Sequence, residues 1–281
     1  MPFDGPLVSA GWLRDHLDEV AVVDVRWYLQ LPGTEPRSAL AEYEAGHIPG
    51  AIHLDMDSDL SAPASAAAGR HPLPTEAAFA ATLGRMGIAD GQPVVAYDDT
   101  GGGQAARLWY LLHVLGEPVA VLDGGLPAWT AAGGALSTEI PVPYPVRRAV
   151  REWPAERFVD ADRLTWAIAT GTATVYDARA ADRYAAGGPI DPRPGHVPGA
   201  RNRPWQENLG PDGRFRTPET LRAAFDTDRP VIAYCGSGVT ACHNLLALAV
   251  AGIEDTALYP GSWSQWGADR SRPIEEGLGA G

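Results

Sequence analysis

Short β-branched and aromatic runs alternate with stretches of helical periodicity along the chain. Val94–Tyr97 ("VVAY") and Val231–Tyr234 ("VIAY") are continuous apolar runs that read as buried strands. Leu108, Leu111, Leu112 and Leu115 recur at helical spacing, and Gly116 follows as a stop signal. Ala241–Ala251 is a second small, apolar helical stretch, ending at Gly252. Strand, turn and helix in repetition predict an α/β fold with mostly parallel sheets flanked by helices. Ligands of such sheets sit beyond the carboxyl ends of the strands, and the turn after Tyr234 occupies that place.

The pattern occurs twice, in the same order. "VVDVR" (Val22–Arg26) matches "VYDAR" (Val175–Arg179), and "GHIPGA" (Gly46–Ala51) matches "GHVPGA" (Gly195–Ala200). "VVAYD" (Val94–Asp98) matches "VIAYC" (Val231–Cys235), and "LDGGLPAW" weakly matches "LYPGSWSQW". Between the copies, "EIPVPYPV" (Glu139–Val146) reads as an extended proline-rich linker. The expected domains are therefore 1–138, a linker over 139–150, and 151–281. Features present in both copies point to structure. The pairs Asp24/Arg26 and Asp177/Arg179 are expected to brace the fold, and His47 and His196 to serve the Pro-Gly turns. A feature of one copy points to function. Where the second copy has Cys235, the first has Asp98, so thiol chemistry at that spot belongs to the second copy.

Composition narrows the chemistry. A chain of 281 residues is long for one core and favours two domains. A net charge of -13 argues against a nucleic-acid surface, and an anionic substrate would need a positive pocket built against that field. Two cysteines make no disulfide framework and suit a reducing compartment. The N-terminus lacks a signal-peptide pattern, and the apolar run Leu245–Ile253 is too short to span a bilayer. A cytoplasmic protein that binds neither membrane nor nucleic acid is expected.

Both cysteines lie in "YCGSGVTACH" (Tyr234–His243). Gly236 and Gly238 would let the backbone curl after Cys235. Successive N–H groups, with Val239 and Thr240 leading into a helix, would then form an anion nest. A cysteine in that cradle is expected to exist substantially as thiolate, a nucleophile with no adjacent general base. Other readings are weaker. Two cysteines beside His243 make a poor metal site, so no metal is expected. A phosphatase loop needs a cation six residues after the cysteine, where Ala241 stands. There is no Cys-x-x-Cys for dithiol chemistry. A plain core cysteine suits Cys242 within the helix better than Cys235 on a double-glycine turn.

The tandem copies, the "GHIPGA" and "GHVPGA" turns and the "CGSGVTA" loop resemble the rhodanese superfamily over nearly the whole chain. The loop is similar to that of its mercaptopyruvate-using members. Thiosulfate-using members usually carry basic residues after the cysteine, where this chain has Gly236 and Ser237. The resemblance implies that Cys235 takes a sulfur atom as a persulfide. A thiol acceptor such as thioredoxin, or cyanide, then removes it, with no dissociable cofactor. It implies that two arginines, mapped to Arg183 and Arg193, grip a small anionic donor; planar forks suit a carboxylate, although loop arginines are often merely solvated. It also implies a relay of Ser237 with His71 ("RHPLP") and Asp57 ("LDMD").

The repeat bears on that relay independently. His47 to Val94 spans 47 residues and His196 to Val231 spans 35, so the first copy has 12 more, in the segment holding Asp57 and His71. That insertion could reach the second copy, or be an Ala/Ser/Pro-rich surface loop. Gln265 stands where relatives often have an acidic residue. A thiosulfate sulfurtransferase, and a module that holds a persulfide without turnover, remain the alternatives to a mercaptopyruvate sulfurtransferase.

Overall fold

The structure is a computed structural model that describes residues 3–278. The described residues divide into two compact units, one of residues 3–62, 74–153 and 211–215, the other of 63–73, 154–210 and 216–278. The division does not follow chain order: residues 63–73, from the inserted segment of the first copy, belong to the second unit.

In the first unit five parallel strands, β1 (Leu7–Val8), β2 (Ala21–Asp24), β3 (Ile52–His53), β4 (Val94–Tyr97) and β5 (Val119–Leu122), lie in the order β1-β5-β4-β2-β3. Its helices are α1 (Ala10–Asp15), α2 (Ala39–Ala45), α3 (Glu76–Arg85), α4 (Ala105–Val114) and α5 (Gly125–Ala131). In the second unit β6 (Thr174–Asp177), β7 (Arg201–Asn202), β8 (Val231–Tyr234) and β9 (Thr256–Leu258) are parallel, in the order β7-β6-β8-β9. Its helices are α6 (Ala161–Thr170), α7 (Ala181–Ala186), α8 (Pro218–Ala224), α9 (Ala241–Val250) and α10 (Ser262–Trp266).

The strands read from the apolar runs fall at β4 and β8, and every residue of both is buried. Register repeats as well: Ala21 faces Val94 and Asp24 faces Tyr97, as Thr174 faces Val231 and Asp177 faces Tyr234. α4 and α9 end before Gly116 and Gly252, each with φ +72°, where a side chain would be strained. Val95, Tyr97, Ala120, Leu122 and Trp129 form one core; Val175, Ile232, Tyr234, Trp263 and Trp266 form the other.

The shared polar residues make the same bonds in both units. Arg26 Nη2 donates to Asp24 Oδ2 at 2.6 Å and to the Gly46 carbonyl at 2.9 Å. Arg179 Nη2 donates to Asp177 Oδ2 at 2.7 Å and to the Gly195 carbonyl at 2.8 Å. His47 stacks on Tyr43 and His196 on Tyr184. The buried arginines thus tie the ends of β2 and β6 to their Pro-Gly turns. The linker residues 141–150 have no regular secondary structure, and Val146 donates from its N–H to the Gly84 carbonyl at 2.9 Å. Among the described residues no helix is long and apolar enough to cross a membrane.

Candidate active site

Cys235 is the first residue after β8, and the loop 236–240 leads directly into α9. The loop is clamped from α10. Trp263 N–H donates to the Cys235 carbonyl and Ser264 N–H to the Gly236 carbonyl, both at 2.9 Å. Cys235 N–H donates to Ser262 Oγ at 3.2 Å, and that hydroxyl donates to the Tyr259 carbonyl at 2.9 Å. Ser262 sits at φ +52°, unusual for a non-glycine residue and concentrated at functional sites.

Cys235 is 2% exposed, and its Sγ accepts from Gly238 N–H at 3.2 Å. The two loop glycines serve different ends. Gly238 has φ +80°, and a Cβ there would lie 2.6 Å from the Pro260 carbonyl oxygen, so backbone conformation and space both require glycine. Gly236 is outside the left-handed region; a Cβ there would meet Arg183 Nη2 at 3.0 Å and Arg70 Nη2 at 3.1 Å. The sequence reading lets both glycines curl the backbone and bring it close to a ligand. Curling falls to Gly238, whereas Gly236 makes room for cations. Val239 and Thr240 complete the turn, with Cys242 N–H donating to the Val239 carbonyl and His243 N–H to the Thr240 carbonyl. Cys242 is fully buried in α9, and its Sγ donates to the Gly238 carbonyl at 3.4 Å.

Ser237 and His71 share a hydrogen bond between Oγ and Nδ1 of 2.7 Å, and both are buried. His71 reaches the loop on the strap 63–73. Ser65 and Gly69 pair backbone to backbone, and a Cβ on Gly69 would lie 2.7 Å from the Gly261 carbonyl oxygen. Arg70 N–H donates to Ser264 Oγ at 2.9 Å. Gln265 Nε2 donates to the Ala67 carbonyl at 2.5 Å, while its Oε1 accepts from Tyr259 O–H at 2.8 Å. A carboxylate at 265 could accept from Tyr259 but could not donate to Ala67, so glutamine here pins the strap.

Arg183 on α7 holds Asp191 with a fork, Nη2 to Oδ1 at 2.6 Å and Nε to Oδ2 at 3.1 Å. Arg193 lies beside Trp263, and its Nη2 donates to the carbonyls of Asp269 at 3.1 Å and Arg272 at 2.8 Å. Burial, then the charge of Arg270, pulls the Arg193 guanidinium below its ordinary value. Asp57 is exposed in the first unit, where its Oδ2 accepts from Trp27 Nε1–H at 2.9 Å. The second unit thus gathers Cys235, the loop 236–240, Ser237, His71, Arg183 and Arg193. Two contributors escaped the sequence reading: Arg70, signalled by its place beside His71 in the insertion, and Ser262, signalled by the weakly repeated "GSWSQW". Among the described residues no group of three His, Cys, Asp or Glu side chains could hold a metal.

Comparison with known proteins agrees with this architecture. The rhodanese-like domain matches twice, over residues 9–132 and 160–269. A Pseudomonas aeruginosa protein named probable 3-mercaptopyruvate sulfurtransferase is 43% identical over 96% of this chain and 98% of its own. A Mycobacterium tuberculosis protein provisionally named thiosulfate sulfurtransferase SseB is 39% identical over 92% of both. The crystal structure of SseA from Escherichia coli, described as a 3-mercaptopyruvate sulfotransferase, superposes with a TM-score of 0.80 at 34% identity, covering 92% of this chain and 99% of its own. The chain therefore belongs to the rhodanese family and carries two rhodanese-like domains.

Proposed function

We infer that the protein is a sulfurtransferase that takes sulfur from 3-mercaptopyruvate onto Cys235 and passes it to a thiol acceptor or cyanide, releasing pyruvate. The observation that carries this is the contact of Ser237 with His71, 2.7 Å, on the loop that presents Cys235. Relatives of near-equal length carry the mercaptopyruvate name at up to 43% identity. The 39% relative carries the thiosulfate name, but the uncharged pair Gly236-Ser237 favours the former donor.

The Cys235 thiolate attacks the donor's sulfur, the S–S bond forms and the C–S bond breaks. The electron pair leaves on the pyruvate enolate, which takes a proton to become pyruvate. Ser237, oriented by His71, relays the proton from the donor thiol to the enolate. Arg183 and Arg193 hold the carboxylate and keto oxygen. The acceptor thiolate then attacks the outer sulfur of the persulfide and restores Cys235. The acceptor is a small protein thiol such as thioredoxin, the compartment is the cytoplasm, and the catalytic domain is the second, 151–281, served by the strap from the first.

Incubation with 3-mercaptopyruvate should add one sulfur to Cys235, located by intact mass and peptide mapping. Steady-state kcat/KM should favour mercaptopyruvate over thiosulfate with one acceptor. Stoichiometric loading without multiple turnover would replace this reading with that of a persulfide carrier, and a preference for thiosulfate would replace the donor.

A further inference from the structure

Among the described residues Ser262 is the one non-glycine in the left-handed region, at φ +52°, and it is fully buried. A serine adopts that backbone at a conformational cost, and such outliers persist where the surrounding structure holds them for a purpose. The tandem repeat supplies the control. The spacing from Gly125 to Ser262 equals that from Asp98 to Cys235. Gly125 opens α5 at φ +59° as Ser262 opens α10, so both units make one turn, and the first makes it with the residue that bears it freely. One bond from this turn to the strand end is shared. Leu126 N–H donates to the Asp98 carbonyl at 2.8 Å, and Trp263 N–H to the Cys235 carbonyl at 2.9 Å. Two further bonds belong to the second unit. Ser262 Oγ accepts from Cys235 N–H at 3.2 Å, and Ser264 N–H donates to the Gly236 carbonyl at 2.9 Å. Gly125 has no hydroxyl to make the first, and Pro127, in the place of Ser264, has no N–H to make the second.

Resting on the assignment of Cys235 as the sulfur-accepting group, we propose that Ser262 is a positioning residue for sulfur transfer, whose hydroxyl, held in strained backbone, fixes the backbone of the nucleophile. Cys235 lies between two planar peptides. The N–H of one is held by Ser262 Oγ and the carbonyl of the next by Trp263 N–H, so both backbone dihedrals of Cys235 are set. The direction of its Cβ follows, and rotation about the Cα–Cβ bond ends with Sγ on Gly238 N–H at 3.2 Å. The Ser262 hydroxyl is itself directed. Its proton goes to the Tyr259 carbonyl at 2.9 Å, which leaves a lone pair for Cys235 N–H, and Tyr259 N–H is anchored on the Ala233 carbonyl of β8 at 2.9 Å. In the transfer the Cys235 thiolate attacks the donor's sulfur and the S–S bond forms. The donor's own bond to that sulfur breaks, and its electron pair leaves on the donor fragment. The attacking sulfur, the transferred sulfur and the leaving atom must lie in line, so a nucleophile that drifts sideways loses rate and leaves donor binding unchanged. The first unit has no nucleophile at this point and carries glycine in the turn.

The test compares the full-length wild type with Ser262→Gly and Ser262→Ala. Both variants lose the hydroxyl, but only Ser262→Gly relieves the backbone, so stability and positioning separate. Sulfur loading of Cys235 is followed in a single turnover by rapid quench and intact mass, over a range of donor concentrations. The donor is whichever of mercaptopyruvate and thiosulfate loads the wild type faster, so the choice between them does not enter. Ser262→Gly should melt above Ser262→Ala, because alanine keeps the left-handed strain. Both should nevertheless load more slowly than wild type at saturating donor, by about fivefold or more and by the same factor within about twofold. The donor concentration giving half the maximal rate should stay within about twofold of wild type. Three results would each overturn the proposal: Ser262→Gly loading within about twofold of wild type, a loss carried by the half-saturating concentration, or rates that follow the melting order with Ser262→Ala slower than Ser262→Gly by about fivefold or more. A wild type that gains no sulfur on Cys235 from either donor would overturn the assignment of Cys235, and this proposal with it.

Discussion

At the end of β4 the carboxylate of Asp98 is buried against four backbone N–H groups. Oδ1 accepts from Thr100 at 2.9 Å and Gly102 at 2.8 Å, and Oδ2 from Gln104 at 2.7 Å and Ala105 at 2.9 Å. Burial pushes this carboxyl up from its ordinary value, against the pull of those donors. At the end of β8 the same position holds Cys235, whose Sγ accepts from Gly238 N–H at 3.2 Å. The strands are in the same register, but the first loop is one residue longer before its helix begins. The first loop therefore carries its own acceptor, covalently fixed, and the curl of N–H groups is closed around it. The second places a weak acceptor at the same point and leaves the turn to take charge from outside. One backbone device thus serves as a structural plug in one domain and as a candidate reaction centre in the other.

The strongest way to break this comparison is to exchange the chemistry of the two positions. Cys235→Ser should abolish turnover and the added sulfur mass, and Cys242→Ser should keep most of the activity. Asp98→Cys in the Cys235→Ser background should restore nothing, since, two residues on, the hydroxyl of Thr100 donates to Gln104 Oε1 at 2.6 Å, where in the other loop Ser237 meets His71. Turnover in that double variant would show that any thiol at a β-strand end of this fold suffices.

Next in size are Arg183 and Arg193. Arg183→Ala and Arg193→Ala should each lower kcat/KM for mercaptopyruvate by about one to two orders of magnitude, the equivalent of losing a charge-assisted hydrogen bond. Arg193→Ala should also lower Tm, because its guanidinium fastens the carbonyls of Asp269 and Arg272. Wild-type kinetics in both variants would place the donor elsewhere.

A stability measurement sharpens the account of the first loop. Asp98→Asn presents an NH2 to two of the four N–H donors and should cost about 3 kcal/mol in denaturant unfolding. A loss below about 1 kcal/mol would mean that the carboxylate is not what holds that loop.

The smallest contrast is between the two glycines. Gly238→Ala meets both a left-handed backbone and the Pro260 carbonyl, and should destabilise by about 1–3 kcal/mol. Gly236→Ala meets the far ends of two flexible arginines and should cost under about 1 kcal/mol while slowing turnover as those forks shift. Equal destabilisation would return Gly236 to a backbone role.

The sequence by itself determined the α/β class, the tandem repeat and the strands that end just before Asp98 and Cys235. Those features depend on local periodicity and on short motifs, which one chain segment carries complete. It also separated shared braces, Asp24/Arg26 and Asp177/Arg179, from the unshared cysteine, because an internal repeat acts as its own control. What only the tertiary structure decided was which distant side chains share space with the loop. Arg70 and His71 lie more than a hundred residues before Cys235; the resemblance named His71 and the length of the repeat marked its segment as an insertion, but neither fixes what the two side chains touch. They arrive through a strap that Gly69, Ser264 and Gln265 fasten to α10. The meaning of Gly236 was hidden for the same reason: a missing side chain is informative only when the groups that fill its space are known.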